Sequence, residues 1–134
     1  MDNWIVIPMK KVNDIEFGME RSEVRKKFTI PAKEFKKSKF SKRTTDDFGS
    51  CHVYYDKNDK CEAVEIFDDV MVYINDKKIF PTTVEASKKI IPDLMREGDS
   101  YISEKTSIGI YAPDNEMESI LIGCEGYYGE GEND

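Results

Sequence analysis

Two pairs of short alternating runs, each pair joined by turn formers, constrain this chain more than any other feature. In the first pair, Cys51-His52-Val53-Tyr54-Tyr55 and Cys61-Glu62-Ala63-Val64-Glu65-Ile66-Phe67 flank Asp56-Lys57-Asn58-Asp59-Lys60. Successive side chains of a strand point to opposite faces. A period of two, broken by a polar, turn-rich segment, therefore predicts an antiparallel hairpin. With Lys57 to Lys60 as the loop, Asp56 opposes Cys61, Val53 opposes Val64 and Cys51 opposes Ile66. One face then carries Cys51, Val53, Tyr55, Val64 and Ile66, which suits a core, and the other carries His52, Tyr54, Ala63, Glu65 and Phe67. The second pair is Thr106 to Tyr111 with Met117 to Ile122, across Pro113-Asp114-Asn115-Glu116.

Around these hairpins, Trp4 to Ile7, Val70 to Ile74, Lys77 to Phe80 and Tyr101 to Ser103 read as further strands. Met19, Val24 and Phe28 form an apolar stripe that predicts a helix from Met19 to Phe28. Thr29-Ile30-Pro31 ends it, because proline lacks an N–H and disfavours helix at the residue before it. Ala32 to Arg43 reads as a second short helix or an ordered loop, and Thr82 or Thr83 caps a helix running to Ile91. Laid over each other, the hairpins place Tyr55 on Tyr111, Glu62 on Glu118, Val64 on Ile120 and Ile66 on Ile122. The sequence therefore predicts an α+β fold: an antiparallel sheet with helices packed on one face, in two tandem helix-plus-hairpin halves at about 15–74 and 79–123. Residues 1–123 read as a single domain and 124–134 as a flexible acidic tail.

Composition limits the classes of function. With 39% hydrophobic residues in 134, including seven Phe and seven Tyr, the chain can build one core. Three cysteines fit a reducing compartment better than a disulfide scaffold. No apolar stretch approaches the roughly 20 residues of a membrane span. Met1 to Pro8 lacks the basic start and long apolar centre of a signal peptide. The expectation is a cytoplasmic protein without a membrane partner.

Chemistry finds little purchase. His52 is the single histidine, and its neighbour Cys51 points to the opposite face of the strand, so the two do not pair. The cysteines lack C-x-x-C spacing, and one histidine does not complete the usual zinc sets. Asp56-x-Asn58-x-Lys60 opens like a calcium loop but puts Lys60 where an oxygen ligand is needed, Cys61 at the glycine and Phe67 at the bidentate glutamate. There is no Gly-rich loop followed by Lys-Ser or Lys-Thr for phosphate. We expect no catalytic residue, no metal site and no cofactor.

Charge is distributed unevenly. The formal net charge is -7, yet residues 1–43 hold twelve Lys/Arg against six Asp/Glu. Arg25, Lys26, Lys27, Lys33, Lys36, Lys37, Lys39, Lys42 and Arg43 concentrate this, with Phe28, Phe35 and Phe40 interleaved. Such a segment serves either as a solvated face or as a nucleic-acid groove, and the acidic remainder disfavours a polyanion. The acidic part includes Glu62, Glu65, Asp68 and Asp69 next to Tyr54 and Tyr73. Tyrosine anchors with an acidic rim suit a basic protein partner. The sequence allows helices on either face of the hairpin, so that surface is either covered or free.

Ile15, Gly18, Met19, Glu23, Val24 and Pro31, followed by a Tyr-rich strand and a turn, form a pattern that resembles a known bacterial module. It is similar to the small outer-membrane assembly lipoprotein and β-lactamase inhibitor protein families, over the segment from Ile15 through the first hairpin. The start carries no lipobox cysteine, so the lipoprotein role is not implied. The resemblance implies a scaffold that grips other proteins through an exposed sheet face. In size and charge the chain also resembles the immunity partners of bacterial toxins. The expectation is a non-enzymatic inhibitor of a basic toxin domain, acting by stoichiometric occlusion through Tyr54, Glu62, Glu65, Asp68, Asp69 and Tyr73. The alternatives are an adaptor domain using the same sheet and a nucleic-acid binder using residues 25–43.

Overall fold

The computed structural model describes residues 3–67 and 69–128. The chain opens with β1 (Asn3–Ile7), β2 (Lys11–Val12) and β3 (Ile15–Glu16), then the short helix α1 (Arg21–Arg25). A four-stranded meander follows: β4 (Lys33–Phe35), β5 (Thr45–Asp47), β6 (Cys51–Tyr55) and β7 (Cys61–Phe67). Next come the hairpin β8 (Met71–Ile74) and β9 (Lys77–Phe80), and helix α2 (Val84–Ile90). A second meander closes the described chain: β10 (Met95–Glu97), β11 (Ser100–Ser103), β12 (Ile108–Tyr111) and β13 (Ser119–Gly123). These strands form two sheets, ordered β3-β2-β1-β8-β9 and β10-β11-β12-β13-β7-β6-β5-β4.

The expected α+β arrangement is therefore corrected to a mostly β fold. The helices have five and seven residues, too short to make a layer over a sheet. The stripe of Met19, Val24 and Phe28 does not extend α1, because Phe28 leaves the helix to stack on Phe48 with ring centroids 3.8 Å apart. Its other neighbour is Trp4 of β1, at 6.4 Å. A ring wedged between two others is better buried there than on a solvated helical turn. The segment read as helix or loop from Ala32 to Arg43 is the edge strand β4 and a loop. Helix α2 matches its sequence signal, with the Thr83 hydroxyl accepting from Ala86 N–H at 3.1 Å.

Hairpin β6–β7 has the register the alternation predicts, with Val53 opposite Val64 and Cys51 opposite Ile66. It departs at the loop end, where a bulge sets Tyr55 rather than Asp56 opposite Cys61. β7 then lies antiparallel to β13, with Val64 opposite Ile122 and Ile66 opposite Ile120. The large sheet thus reads as two meanders joined at their last strands. Hairpin, short helix and four-stranded meander follow one another twice, first through β2–β7 and then through β8–β13. This replaces the helix-plus-hairpin unit. β1 stands between the small hairpins, antiparallel to β2 and parallel to β8. Both hairpins turn on Asn-Asp with the asparagine left-handed, at φ 52 for Asn13 and φ 57 for Asn75, a conformation asparagine tolerates. The overlay of Tyr55 on Tyr111 does not hold: Tyr55 is buried in the core, and Tyr111 is exposed on the opposite face.

One core holds residues of both sheets. Trp4, Val6, Val12, Val72 and Phe80 come from the small sheet, and Val53, Val64, Ile66, Ile108, Ile110, Ile120 and Ile122 from the large one. Alternation places the partners of these residues on the outer face of each sheet. Helix α1 is fastened to the large sheet by charge. The fully buried Asp46 accepts from Arg25 Nε and Nη2 at 2.8 and 2.7 Å, Arg21 Nη1 at 3.1 Å and the Tyr55 hydroxyl at 2.8 Å. Arg21 also lies 4.0 Å from the Tyr55 ring centroid.

Candidate protein-binding face

The outer face of the large sheet is where the sequence placed its binding residues, and the strand register gives its layout. One row across the strands runs His52, Glu65, Leu121, Gly109, Ile102 and Met95, and the next runs Phe67, Ser119, Tyr111, Ser100 and Glu97. At the β4 side, His52 lies edge-on to Phe35 and to Phe67, with centroids 4.9 and 4.8 Å away. Its Nε2 is 3.6 Å from the Asp47 carboxylate. This cluster fills its own space and presents little to a ligand.

The middle of the face is closed by the chain's own end. Residues 124–128, read from sequence as flexible tail, instead form a turn tied by Cys124 N–H donating to the Glu62 carbonyl at 2.9 Å. The remaining residues of that expected tail, 129–134, lie outside the described residues. Tyr127 and Tyr128 pack edge to face, 5.3 Å between centroids. They rest on glycines: a Cβ added at Gly123 would lie 2.7 Å from the Tyr127 side chain, and one at Gly109 would lie 2.2 Å from the Tyr128 hydroxyl oxygen. Beneath them the Glu65 carboxylate accepts from the Tyr54 hydroxyl and, at 2.9 Å, from Ser119 Oγ. Burial first, and then the Glu65 carboxylate, push the Tyr54 phenol far above its ordinary value. Burial does the same to Tyr127 and Tyr128. These phenols stay protonated, as donors or packing groups.

The six residues singled out by sequence do not form one surface. Tyr54 and Glu62 are buried, Tyr54 among the tyrosines of the terminal turn and Glu62 at the β7 bulge. Glu65 is half-buried and already engaged with Tyr54 and Ser119. Asp69 is exposed, and Asp68 lies outside the described residues. Tyr73 is on the small sheet, opposite Ile5 of β1, and so is separated from the others. What remains open is the β10–β12 part of the outer face, which sequence reasoning did not select. Met95 is 68% exposed and Tyr111 42%. Glu97 and Glu104 are exposed beside Met95, with Lys105 next to them. Asp93, Met95, Glu97, Ile102, Glu104 and Lys105 line a shallow groove of about 340 Å³ along the β10 edge. The signal available was Tyr111 itself, an aromatic with no apolar partner at the end of an alternating run.

Among the described residues, the buried titratable groups are held in unreactive states. The Asp46 carboxylate is saturated by Arg21, Arg25 and Tyr55. Burial acts to raise it, but the Arg25 and Tyr55 hydrogen bonds and the arginine charges outweigh that and hold it below the ordinary range. A carboxylate so bound is neither base nor nucleophile. Burial pushes the Cys51 thiol up to about 12 and raises Cys61 further, so neither is a thiolate at neutral pH. Among the described residues no three His, Cys, Asp or Glu converge as metal ligands. No helix of the described residues is long and apolar enough to cross a membrane. No family model, curated protein or solved structure matches the chain.

Proposed function

We propose that the protein is a non-enzymatic inhibitor of the immunity type, binding a basic toxin domain and blocking it by stoichiometric occlusion. The observation that carries this reading is the open part of the outer face, where exposed Met95 and Tyr111 stand with Glu97 and Glu104 along the β10 edge. Apolar anchors supply area that is desolvated on docking, and an acidic rim steers a basic partner and sets its orientation. In this reading Tyr111 and Met95 enter the interface, and the glutamates meet Lys and Arg at its edge. The net charge of -7 favours the same class of partner at long range.

The test is kinetic. Glu97→Lys combined with Glu104→Lys should slow association with the basic partner roughly tenfold at low salt, and Tyr111→Ala should raise the dissociation rate. Unchanged rates in both variants would remove this face from the account. An adaptor domain would use the same surface, and recovery of a multi-protein assembly instead of one basic polypeptide would favour it.

A further inference from the structure

The basic segment lies apart from the β10–β12 surface, touching the outer face only where Phe35 packs on His52 and Lys37 on Tyr54, and some of its residues hold the fold while others are exposed. Arg25 is bound by Asp46 and Glu34, and Arg43 Nε donates to the Tyr55 carbonyl at 3.0 Å, so these two hold the fold. Lys36, Lys37, Lys39 and Lys42 are exposed in the loop between β4 and β5, where no acid occurs between Glu34 and Asp46. The loop has a defined shape. Ser41 N–H donates to the Ser38 carbonyl at 3.1 Å and closes the turn Ser38-Lys39-Phe40-Ser41. Phe40 N–H donates to Ser38 Oγ at 3.2 Å, and the Lys37 ammonium sits 4.5 Å from the Tyr54 ring centroid. In this turn Ser41 is buried, 7% exposed, while Phe40, its one apolar member, is 82% exposed. Hydrophobic burial alone would turn it the other way. A single projecting ring ringed by cations is a docking point.

We propose, in place of the sequence expectation of no membrane partner, that the loop of residues 36–43 seats the protein on an anionic bilayer surface. Phe40 enters the boundary between headgroups and acyl chains, and Lys36, Lys37 and Lys39 lie over the lipid phosphates. A projecting ring suits this occupant, and beyond a Debye length of about 8 Å the repulsion of the acidic body is screened. Each lysine near such a surface strengthens binding about fivefold, and one inserted ring adds the apolar share that electrostatics lacks. Single-stranded nucleic acid fits less well. The Lys39 ammonium lies 5.4 Å from the Phe40 centroid, over a ring face that a base would need. One exposed ring also does not make the run of stacking platforms that strand binders use.

Phe40→Trp in the full chain gives a direct reporter, because Trp4 is the only native tryptophan and is buried. With phosphatidylcholine vesicles in which a third of the lipid is phosphatidylglycerol, the introduced indole should shift to the blue at low salt. It should not shift with phosphatidylcholine alone, and high salt should reverse the change. In sedimentation with the same vesicles, Phe40→Ala should weaken binding on the order of tenfold. The triple change Lys36→Glu, Lys37→Glu and Lys39→Glu should abolish it. No sedimentation of folded protein with anionic vesicles at low salt would overturn the proposal. So would salt-sensitive binding in which the introduced indole does not shift. Quenching of that indole by oligouridylate, without vesicle binding, would give the loop to nucleic acid instead.

Discussion

Asp46→Asn is the substitution whose cost the structure fixes most closely. The native carboxylate has no exposed surface and accepts four hydrogen bonds, three from Arg21 and Arg25 and one from Tyr55. Asparagine keeps the shape but removes the charge and faces the two guanidiniums with one amide oxygen. Breaking a buried ion pair from one side costs about 3–5 kcal/mol, because the remaining charge stays desolvated. Arg25 is about one third exposed and retains Glu34, so its share is softened by water. Arg21 is 12% exposed, so although it keeps Asp59 its desolvated guanidinium carries the greater part of the cost. The lower end, about 3 kcal/mol, follows, and for a chain of this length the melting temperature should fall by roughly 10 °C. Urea titration followed by far-UV circular dichroism measures the loss directly, with an unchanged slope if only the native state is affected. Acid supplies the sign. The native Asp46 carboxyl sits below its ordinary value, so its stabilisation is complete above the unfolded value of about 3.9 and drains away as pH falls through the native one. The gap between wild type and variant should therefore be full at neutral pH and close in strong acid. A loss below about 1 kcal/mol, the size of a surface pair, would refute the reasoning, as would a gap that acid leaves unchanged.

Gly109→Ala should unseat Tyr128, whose hydroxyl would lie 2.2 Å from the new Cβ, and cost about 1–2 kcal/mol with a change in the tyrosine near-UV signal. Equal stability in the variant would mean that the phenol is not seated there. Thiol titration of the native protein should modify half-buried Cys124 slowly and leave Cys51 and Cys61 untouched until denaturant is added. Rapid reaction of all three would contradict the burial of β6 and β7. Tyr111→Ala should change stability by no more than about 0.5 kcal/mol, since the ring is exposed, and its effect should appear in partner dissociation alone.

Hairpin β6–β7 was legible because one of its faces is wholly buried, so only one register keeps Val53, Val64 and Ile66 inside. Helix α2 was legible through its threonine cap. The misread segments share a cause, which is that distant partners decided them. Phe28 leaves its helix for Phe48 and Trp4, and Lys33-Glu34-Phe35 becomes a strand through pairing with β5 and the Arg25–Glu34 bond, not through alternation. The residues grouped from sequence are covered or separated for the same reason. Tyr54 and Glu65 look open within their own hairpin, but Tyr127 and Tyr128 arrive from the far end of the chain and fit the space left by Gly109 and Gly123. A glycine inside a strand pattern is a mark of close approach, and those two were the available signal. Tyr73 is separated from Tyr54 and Glu65 because its strand pairs in parallel with β1, a contact no local pattern encodes.

In the proposed reading, the β10–β12 part of the outer face captures a basic protein. Affinity capture from the native cell, run side by side with wild type and with a Glu97→Lys, Tyr111→Ala variant, tests it most directly. One basic polypeptide should be recovered in equal amount with the wild type and be missing from the variant. Equal recovery by both proteins, or no basic partner with the wild type, would contradict it.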